Sequence, residues 1–541
     1  MSFAKESVPL LLPDSEEMGR MDRAMVESGV SELILVKRAA AGIFRVIKQC
    51  LLSNPFNRIK KALILVGPGN NGADGLALAG HLVEGGLVVE VLLVLNAKEI
   101  SAEMLKFITS IGAEIFIYKG SVLSKRNLAK EDLRVVFEGA DLIVDALLGT
   151  GQRATLRGEI AEVMGELKAF RDSGVQGGSD NARYLAIDVP TGVEASSGEV
   201  DSACFRADLT CAIQFIKRGM LQPPARNFCG RIEVVDIGIE PSVSCKYKIL
   251  NSDLLKHMPR RDRYGHKGLN GRVLIMGGSV AMKGASALAA VAALKFGAAL
   301  VTCTRPEGES LAHLPPEIMT LPLVTMRGVF AMAQNISRLV GALEKIDCLV
   351  IGPGIGGGVM RGDLEARKSL LSLFEKVVGE AIDRGKKILI DAEGLDLMVE
   401  IGLKFSPELV VITPHPGEAL RILDISLEEL AKDRYGAAEE MARRFGATTI
   451  LKGAGTIITD GERGYVSPFA SAHLSTGGSG DVLSGMIGGF MAQGVISLKA
   501  SALAVYLHGA GVSDLEERMP YKVASDLISL SLEQVESRLK F

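Results

Sequence analysis

The sequence predicts an α/β protein of two domains, each a three-layer sandwich with helices on both faces of a parallel sheet. Three observations predict it. Short β-branched runs alternate with helical stretches along most of the chain, the pattern of successive β-α-β units. The 541 residues exceed one ordinary domain, while large α/β sheets run long enough for two domains to suffice. The two halves carry different glycine motifs and no internal repeat, so the second half is not a copy of the first.

Candidate strands are Ala62–Val66, Val88–Leu93, Leu142–Asp145 and Tyr184–Asp188, then Arg272–Met276, Leu349–Ile351, Ile388–Asp391, Leu409–Thr413 and Thr449–Leu451. A seam follows the strand-like Ile232–Val235. The chain runs through Asp236-Ile-Gly-Ile-Glu-Pro241 and the basic Pro259–Arg263 before the strand at Arg272. The boundary is placed between about 238 and 250, giving domains of 1–240 and 241–541. Gly174–Ala182 reads as an exposed loop.

Composition excludes several classes. Hydrophobic residues make up 48% and charged residues 23%, as in globular proteins. Mean hydropathy is +0.26, yet the longest apolar stretch, Ala285–Cys303, contains Lys295 and Gly297. It reads as a buried helix followed by a strand, not a membrane span. A net charge of −3 provides no nucleic-acid footprint. The first twenty residues lack the charged-then-apolar pattern of a secretion signal, and Val8–Leu12 reads as a strand or an N-terminal staple. The seven cysteines form no CxxC pair. Cys204 and Cys211, the closest two, read as core residues, and a reducing, cytoplasmic compartment is expected.

Three strand ends in the first half carry polar chemistry. Gly67-Pro-Gly-Asn-Asn-Gly72 follows a strand and precedes a helix, and Glu90 stands at the distance of a ribose-binding acid. Together they match a dinucleotide fingerprint and a Rossmann oxidoreductase. Pro68, Asn70, Asn71 and Asp74 pull elsewhere, since a dehydrogenase wants small residues where the helix approaches the sheet. A tight turn with Asp74 as helix cap also fits. Asp145-Ala-Leu-Leu-Gly-Thr-Gly151 and Asp188-Val-Pro-Thr-Gly192 end two further strands. Each aspartate alone serves equally well as a cap or turn residue. Three glycine-rich strand ends together favour a site, because parallel sheets bind ligands beyond their carboxyl ends.

In the second half, Gly477-Gly-Ser-Gly-Asp-Val-Leu-Ser-Gly485 opens a long apolar helical run. Free amides and the positive helix end suit a phosphate there. A carboxylate within an anion site would repel phosphate, and general-base work by Asp481 supplies a reason for it. The alternative is a helix cap. Gly352-Pro-Gly-Ile-Gly356, Thr413-Pro-His-Pro-Gly-Glu418 and Lys452-Gly-Ala-Gly-Thr456 each follow a strand. There is no GxxxxGK[ST], which excludes a P-loop enzyme.

In their order, GPGNNGADG, DALLGTG and DVPTGV resemble the NAD(P)H-hydrate epimerase domain over roughly residues 15–238, a Rossmann-like sandwich. The resemblance implies that Asn70, Asn71, Gly72, Ala73 and Asp74, with Gly149, Thr150, Gly151, Gln152, Arg153, Ala154 and Thr155, hold a hydrated dinucleotide. It implies a potassium ion on Asn71, Asp145 and Thr191. It also makes Asp188 both a substrate contact and the acid/base acting at C6 of the hydrated ring. Lys37 stands where that family has Glu, and Ala73 where it often has Gly.

The second half, over roughly 250–540, resembles the ribokinase-like superfamily, and within it the ADP- or ATP-dependent NAD(P)H-hydrate dehydratases. Its segments are His266–Gly268, Gly277–Ser279, Gly284-Ala285, Pro316–Met319, GPGIG, TPHPGE, KGAGT and GGSGD. The resemblance implies substrate contacts at Ala285, Gly356, His415 and Asp481, and nucleotide contacts at Lys452, Gly453, Ala454, Gly455, Thr456 and Gly480. Mg2+ would accompany ADP or ATP, and Asp481 would be the base. Ser479 replaces the usual Thr, and Glu393 the second Asp of Asp-Ala-Asp. The expected function is repair of hydrated NADH and NADPH, by epimerising the R and S forms and dehydrating the S form. The expected partners are these small molecules and copies of the chain in a homo-oligomer, with neither nucleic acid nor membrane. Rival readings are a small-molecule kinase of the ribokinase type and a non-catalytic N-terminal binding module.

Overall fold

The computed structural model describes residues 11–52, 59–95, 102–119, 126–173, 182–240, 244–264, 266–309, 314–330, 332–356, 363–513, 515 and 520–538. Residues 174–181 of the expected loop and Val8–Leu10 of the N-terminal apolar run lie outside them. The chain forms two compact units, Ser2–Tyr247 and Lys248–Phe541.

The first unit is built on eight strands: β1 (Lys61–Val66), β2 (Val88–Leu93), β3 (Glu114–Tyr118), β4 (Arg126–Leu128), β5 (Leu142–Ala146), β6 (Arg183–Ile187), β7 (Leu209–Ile213) and β8 (Arg231–Val235). Their order across the sheet is β4-β3-β2-β1-β5-β6-β7-β8, and neighbours pair in parallel. Alternate residues of β1 feed opposite cores. Ala62, Ile64 and Val66 pack with Ala40, Ile43, Leu78 and Leu82 of the helices Glu32–Ile47 and Gly69–Glu84. Leu63 and Leu65 pack with Leu133, Val163 and Met164 on the other face. Burial on both faces explains the nearly unbroken apolar strand sequences. Strand order reverses between β1 and β5, which opens a crevice at their carboxyl ends.

The second unit holds β9 (Tyr247–Ile249), β10 (Arg272–Met276), β11 (Leu300–Pro306), β12 (Met319–Leu323), a small antiparallel pair β13 (Thr325–Met326) and β14 (Val329–Phe330), then β15 (Cys348–Ile351), β16 (Lys387–Ile390), β17 (Val410–Ile412), β18 (Thr448–Leu451), β19 (Ile457–Thr459) and β20 (Gly464–Val466). The main sheet runs β12-β11-β10-β15-β16-β17-β18-β19-β20-β9. The expectation of a parallel sheet is corrected here, because β18, β19 and β20 pair antiparallel. The short connections 452–456 and 460–463 cannot hold the dozen or more residues a parallel crossover needs. The reversal of strand order falls between β10 and β15.

Helices Ser479–Ala492 and Ser497–Ala510 are buried almost all round and share a core with Lys283–Lys295, as an apolar circumference requires. Ala285–Cys303 is this last helix continuing into β11. No helix among the described residues is long and apolar enough to cross a membrane. All seven cysteines are free, and Cys204 and Cys211 are buried.

Candidate active sites

The first site grows from the end of β1. A Cβ at Gly67 would lie 2.0 Å from the Leu147 carbonyl oxygen, so glycine lets the loop after β1 touch the loop after β5. The helix then starts at Gly69, capped by Pro68. Asn70 and Asn71 occupy its first turn, and Asp74 lies well inside it. A cap role for Asp74 is thereby excluded, and helical Ala73 needs no positive φ. Glu90 lies in the amino-terminal half of β2, 2.7 Å from the Lys61 ammonium. It stands away from the carboxyl ends where a ribose would bind, and the dehydrogenase fingerprint fails on this acid.

Beyond β5, Asp145 is fully buried. Its carboxylate accepts the Thr191 N–H (2.7 Å), the Thr191 Oγ1 hydroxyl (2.7 Å) and the Leu147 N–H (3.1 Å). Burial pushes the carboxyl up to about 6 despite these donors. Asn71 donates from Nδ2 to the Leu148 carbonyl (2.9 Å), while its buried Oδ1 has no hydrogen-bond partner among the described residues. An orphaned amide oxygen, a buried carboxylate and a hydroxyl around the 147–148 segment form an all-oxygen set suited to a hard cation.

At the end of β6 the chain bends at Asp188, whose φ is +65°. Its N–H still pairs with the Cys211 carbonyl of β7 (2.9 Å), and the bend turns the side chain into the crevice. Asp188 Oδ1 accepts from the ammonium of Lys217 and from the Ile213 N–H (3.2 Å). Oδ2 accepts from Thr150 Oγ1 at 2.5 Å. Lys217 is 1% exposed and also donates to the Ile213 carbonyl (2.9 Å).

Asn71, Leu148, Asp188 and Lys217 line a cavity of about 770 Å³, while Asp145 and Thr191 lie behind its wall and do not face it. Asn70, Asn71, Asp74, Gly149, Thr150, Gly151, Gln152 and Asp188 face it, whereas Gly72, Ala73, Arg153, Ala154 and Thr155 do not. Arg153 and Thr155 point to solvent. The helices Ser15–Glu27 and Glu32–Ile47 close the cavity with Met18, Asp22, Leu35 and Val36, and Lys37 beside Val36 is exposed. Sequence reasoning missed Lys217 and Asp22. The signal for Lys217 was a cation directly after the apolar Phe215-Ile216 that follows β7.

The second site lies at the ends of β16, β17 and β18. Asp391 is 2% exposed. It accepts from Lys452 Nζ (2.8 Å) and Ser484 Oγ (2.7 Å). Burial raises its carboxyl, but the Lys452 charge and these hydrogen bonds outweigh burial and hold it below the ordinary range. Lys452 stays charged for the reciprocal reason: burial lowers it, and Asp391 and Glu418 more than restore it. Asp481 is the third residue of the helix Ser479–Ala492, whose cap is Gly478, so Asp481 is not the cap. Burial, then the Asp391 charge, push its carboxyl up to about 7, against the pull of Lys452.

His415 caps the helix Pro416–Leu423, its Nδ1 accepting the Glu418 N–H (3.3 Å) while Glu418 accepts the His415 N–H (2.8 Å). Ser479 keeps the hydroxyl of the usual Thr, with Oγ 3.4 Å from Nε2 of His508. Burial pushes that imidazole down to about 4 and keeps it neutral; the sequence had not singled it out. A cavity of about 650 Å³ is faced by His415, Lys452, Gly453, Ala454, Thr456, Gly480 and Asp481. Ala285, Gly356 and Gly455 do not line it. Ala285 and Gly356 flank the β10–β15 crevice, where the Ser279 N–H donates to the Gly354 carbonyl (2.8 Å). Glu393 accepts the Gly356 N–H (2.7 Å), a reach its extra methylene supplies. Ala392, between Asp391 and Glu393, has φ +50°.

Two α/β domains, each with its own cavity and buried carboxylates at the carboxyl ends of its strands, define a two-site enzyme. Residues 273–534 match the family model for NAD(P)H-hydrate dehydratase, and residues 32–219 that for the YjeF-related protein N-terminus. The bifunctional NAD(P)H-hydrate repair enzyme Nnr of Moorella thermoacetica is 34% identical over 93% of this chain and 92% of its own length. The enzyme of the same name from Escherichia coli K12 is 30% identical over 97% and 93%. An ADP/ATP-dependent NAD(P)H-hydrate dehydratase from Bacillus subtilis, co-crystallised with ATP/Mg2+, is 26% identical, with a TM-score of 0.43 over 54% of this chain and 98% of that one. The chain belongs to the bifunctional NAD(P)H-hydrate repair enzymes, with epimerase and ADP/ATP-dependent dehydratase activities.

Proposed function

We propose that the first cavity epimerises C6 of hydrated NADH or NADPH with Asp188 as acid/base, and that the second dehydrates the S form with Asp481 as base. The observation that carries this reading is that each cavity holds a carboxylate at a strand or helix end within the field of a lysine, Asp188 paired with Lys217 and Asp481 under the pull of Lys452. In the second site, Asp481 takes the proton of the C6 hydroxyl as that oxygen attacks the terminal phosphorus of ADP or ATP. AMP or ADP leaves. The ring nitrogen then expels phosphate, and loss of a C5 proton restores the double bond. Phosphorylation turns hydroxide, a poor leaving group, into phosphate. Amides at the start of the helix Ser479–Ala492 and the Lys452–Thr456 loop face the phosphates, each well-placed donor contributing about 3–4 kcal/mol to charge stabilisation. Mg2+ bound to the nucleotide would supply neutralisation of the phosphate charge. A potassium ion on Asn71, Asp145 and Thr191 would fix a positive charge beside the dinucleotide's pyrophosphate.

The test is Asp188→Asn on a mixed pool of epimers with ADP, followed by NADH absorbance and chromatography. The S fraction should be restored at the wild-type rate, and the R fraction should then persist at its spontaneous rate. Rapid completion by the variant, with purified R untouched by the second domain, would show that Asp188 is not the acid/base.

A further inference from the structure

The proposed epimerisation leaves one buried acid in the first cavity without a task. Asp74 projects from the helix Gly69–Glu84 into the same cavity as Asp188, is 6% exposed, and receives no hydrogen bond among the described residues. Asp188, by contrast, has both oxygens engaged, by Lys217, Ile213 and Thr150. The two carboxylates enter from different directions. Asp188 ends β6 and the Asp74 helix follows β1, with β5 between them. Both side chains line the same cavity of about 770 Å³.

The substrate explains why two carboxylates are needed. C6 bears both the hydroxyl and the ring nitrogen, so its handedness can be inverted without breaking a C–H bond. The nitrogen lone pair expels the hydroxyl, leaving a planar C=N+, and water adds to the opposite face. The departing oxygen leaves only as water, which requires a proton from an acid on its side. The entering water must lose a proton to a base on the other side. One carboxylate cannot serve both faces at once.

We propose that Asp74 is a second catalytic residue of the epimerase, the proton donor to the C6 hydroxyl across the ring from Asp188. This rests on the reading of Asp188 given above. In one direction Asp74 gives its proton to the leaving hydroxyl, the C6–O bond breaks, water forms a new C6–O bond on the other face, and Asp188 takes the released proton. The opposite direction uses the same pair with roles exchanged, and solvent resets the protons between turnovers. The surroundings favour this division. Burial, then the charges of Asp188 and Asp22, push Asp74 up to about 8 against the pull of Lys217. Asp22, with Arg23 beside it, faces the cavity from the first helix, and Glu27 and Glu32 stand at its rim. Asp74 therefore carries its proton at neutral pH, while the Lys217 ammonium is spent on Asp188.

The experiment uses the full-length enzyme in potassium buffer made with ¹⁸O-water, without nucleotide, on purified R or S hydrated NADH. Wild-type enzyme is expected to place solvent oxygen at C6 at each inversion. Asp74→Asn is expected to slow inversion and oxygen exchange together by about 10²–10⁴, with dehydration of the S form unchanged when ADP is added. Asp74→Glu keeps the carboxyl and is expected to retain roughly a tenth or more of the rate. Wild-type inversion by Asp74→Asn overturns the proposal. So does inversion by the native enzyme without oxygen exchange, and so does a loss in folded Asp74→Glu as deep as in Asp74→Asn. Asp188→Asn measured alongside separates the two readings: full activity there with loss in Asp74→Asn removes Asp188 and leaves Asp74.

Discussion

Replacing Asp481 by Asn should weaken catalysis and strengthen the fold at once. The carboxyl lies near 7 in the folded chain and near 4 when exposed. About three pH units at 1.36 kcal/mol each give roughly 4 kcal/mol as the upper bound for the cost of ionising it in place. An acid whose affinity for its proton is raised by folding is stabilising below its unfolded value, near pH 4. That contribution is lost as pH rises, and the whole cost is present above about 7. Asn never ionises and avoids it. Against this stands the favourable field at the start of the helix, worth about 0.3–1 kcal/mol to a carboxylate. Burial wins, leaving a net gain of at most about 3 kcal/mol at pH 8 and none at pH 4. At roughly 2–4 °C per kcal/mol, scanning calorimetry should find the second domain's transition higher at pH 8, by up to about 6–12 °C. Dehydration should fall by about 10²–10⁴ with epimerisation intact. A structural carboxylate behaves oppositely, so a variant that melts below wild type at pH 8 would refute the assignment of Asp481 as a desolvated base.

Two further outcomes follow from the same groups. Dehydration at saturating nucleotide should fall about tenfold per pH unit below about 7, as Asp481 gains its proton, and Asp391→Asn should move that limb to lower pH by removing a like charge and freeing Lys452. A pH-rate profile of both enzymes checks this, and an unmoved limb would detach Asp481 from Asp391. Exchanging potassium for tetramethylammonium should slow epimerisation, and Asp145→Ala should weaken that dependence; unchanged rates in thoroughly desalted enzyme would remove the potassium assignment.

Local chemistry was legible in the sequence where it was dense. Gly67–Gly72, Asp145–Gly151 and Asp188–Gly192 each combine a strand end, glycine and a polar side chain, and the structure brings all three to one crevice. The helix start was harder to place, because Gly69-Asn-Asn-Gly72 reads as loop by composition but is helical; packing against β1 overrides propensity. The strand Leu209–Ile213 runs into Gln214-Phe-Ile-Lys217 with no turn signal. It was not separated from its surroundings, and the buried lysine after it went unseen. Pairing direction was likewise invisible beyond β18, since alternation along a strand does not say which way its neighbour runs. The Asp391–Lys452 pair spans 61 positions in sequence, and no local pattern could have joined them.

Two of the non-glycine residues with positive φ, Asp188 and Ala392, bear on how this enzyme could be hardened for use in cofactor recycling. Each conformation costs a residue with a Cβ about 1–2 kcal/mol, and each stands where a strand turns to present a carboxylate, Asp188 its own and Ala392 that of Asp391. In the second domain the strained backbone and the working side chain are different residues, so glycine at 392 could relax the turn while Asp391 keeps its partners. In the first domain one residue carries both burdens. Robustness and turnover can therefore be improved separately at the dehydratase centre, but at the epimerase centre they are tied to a single position.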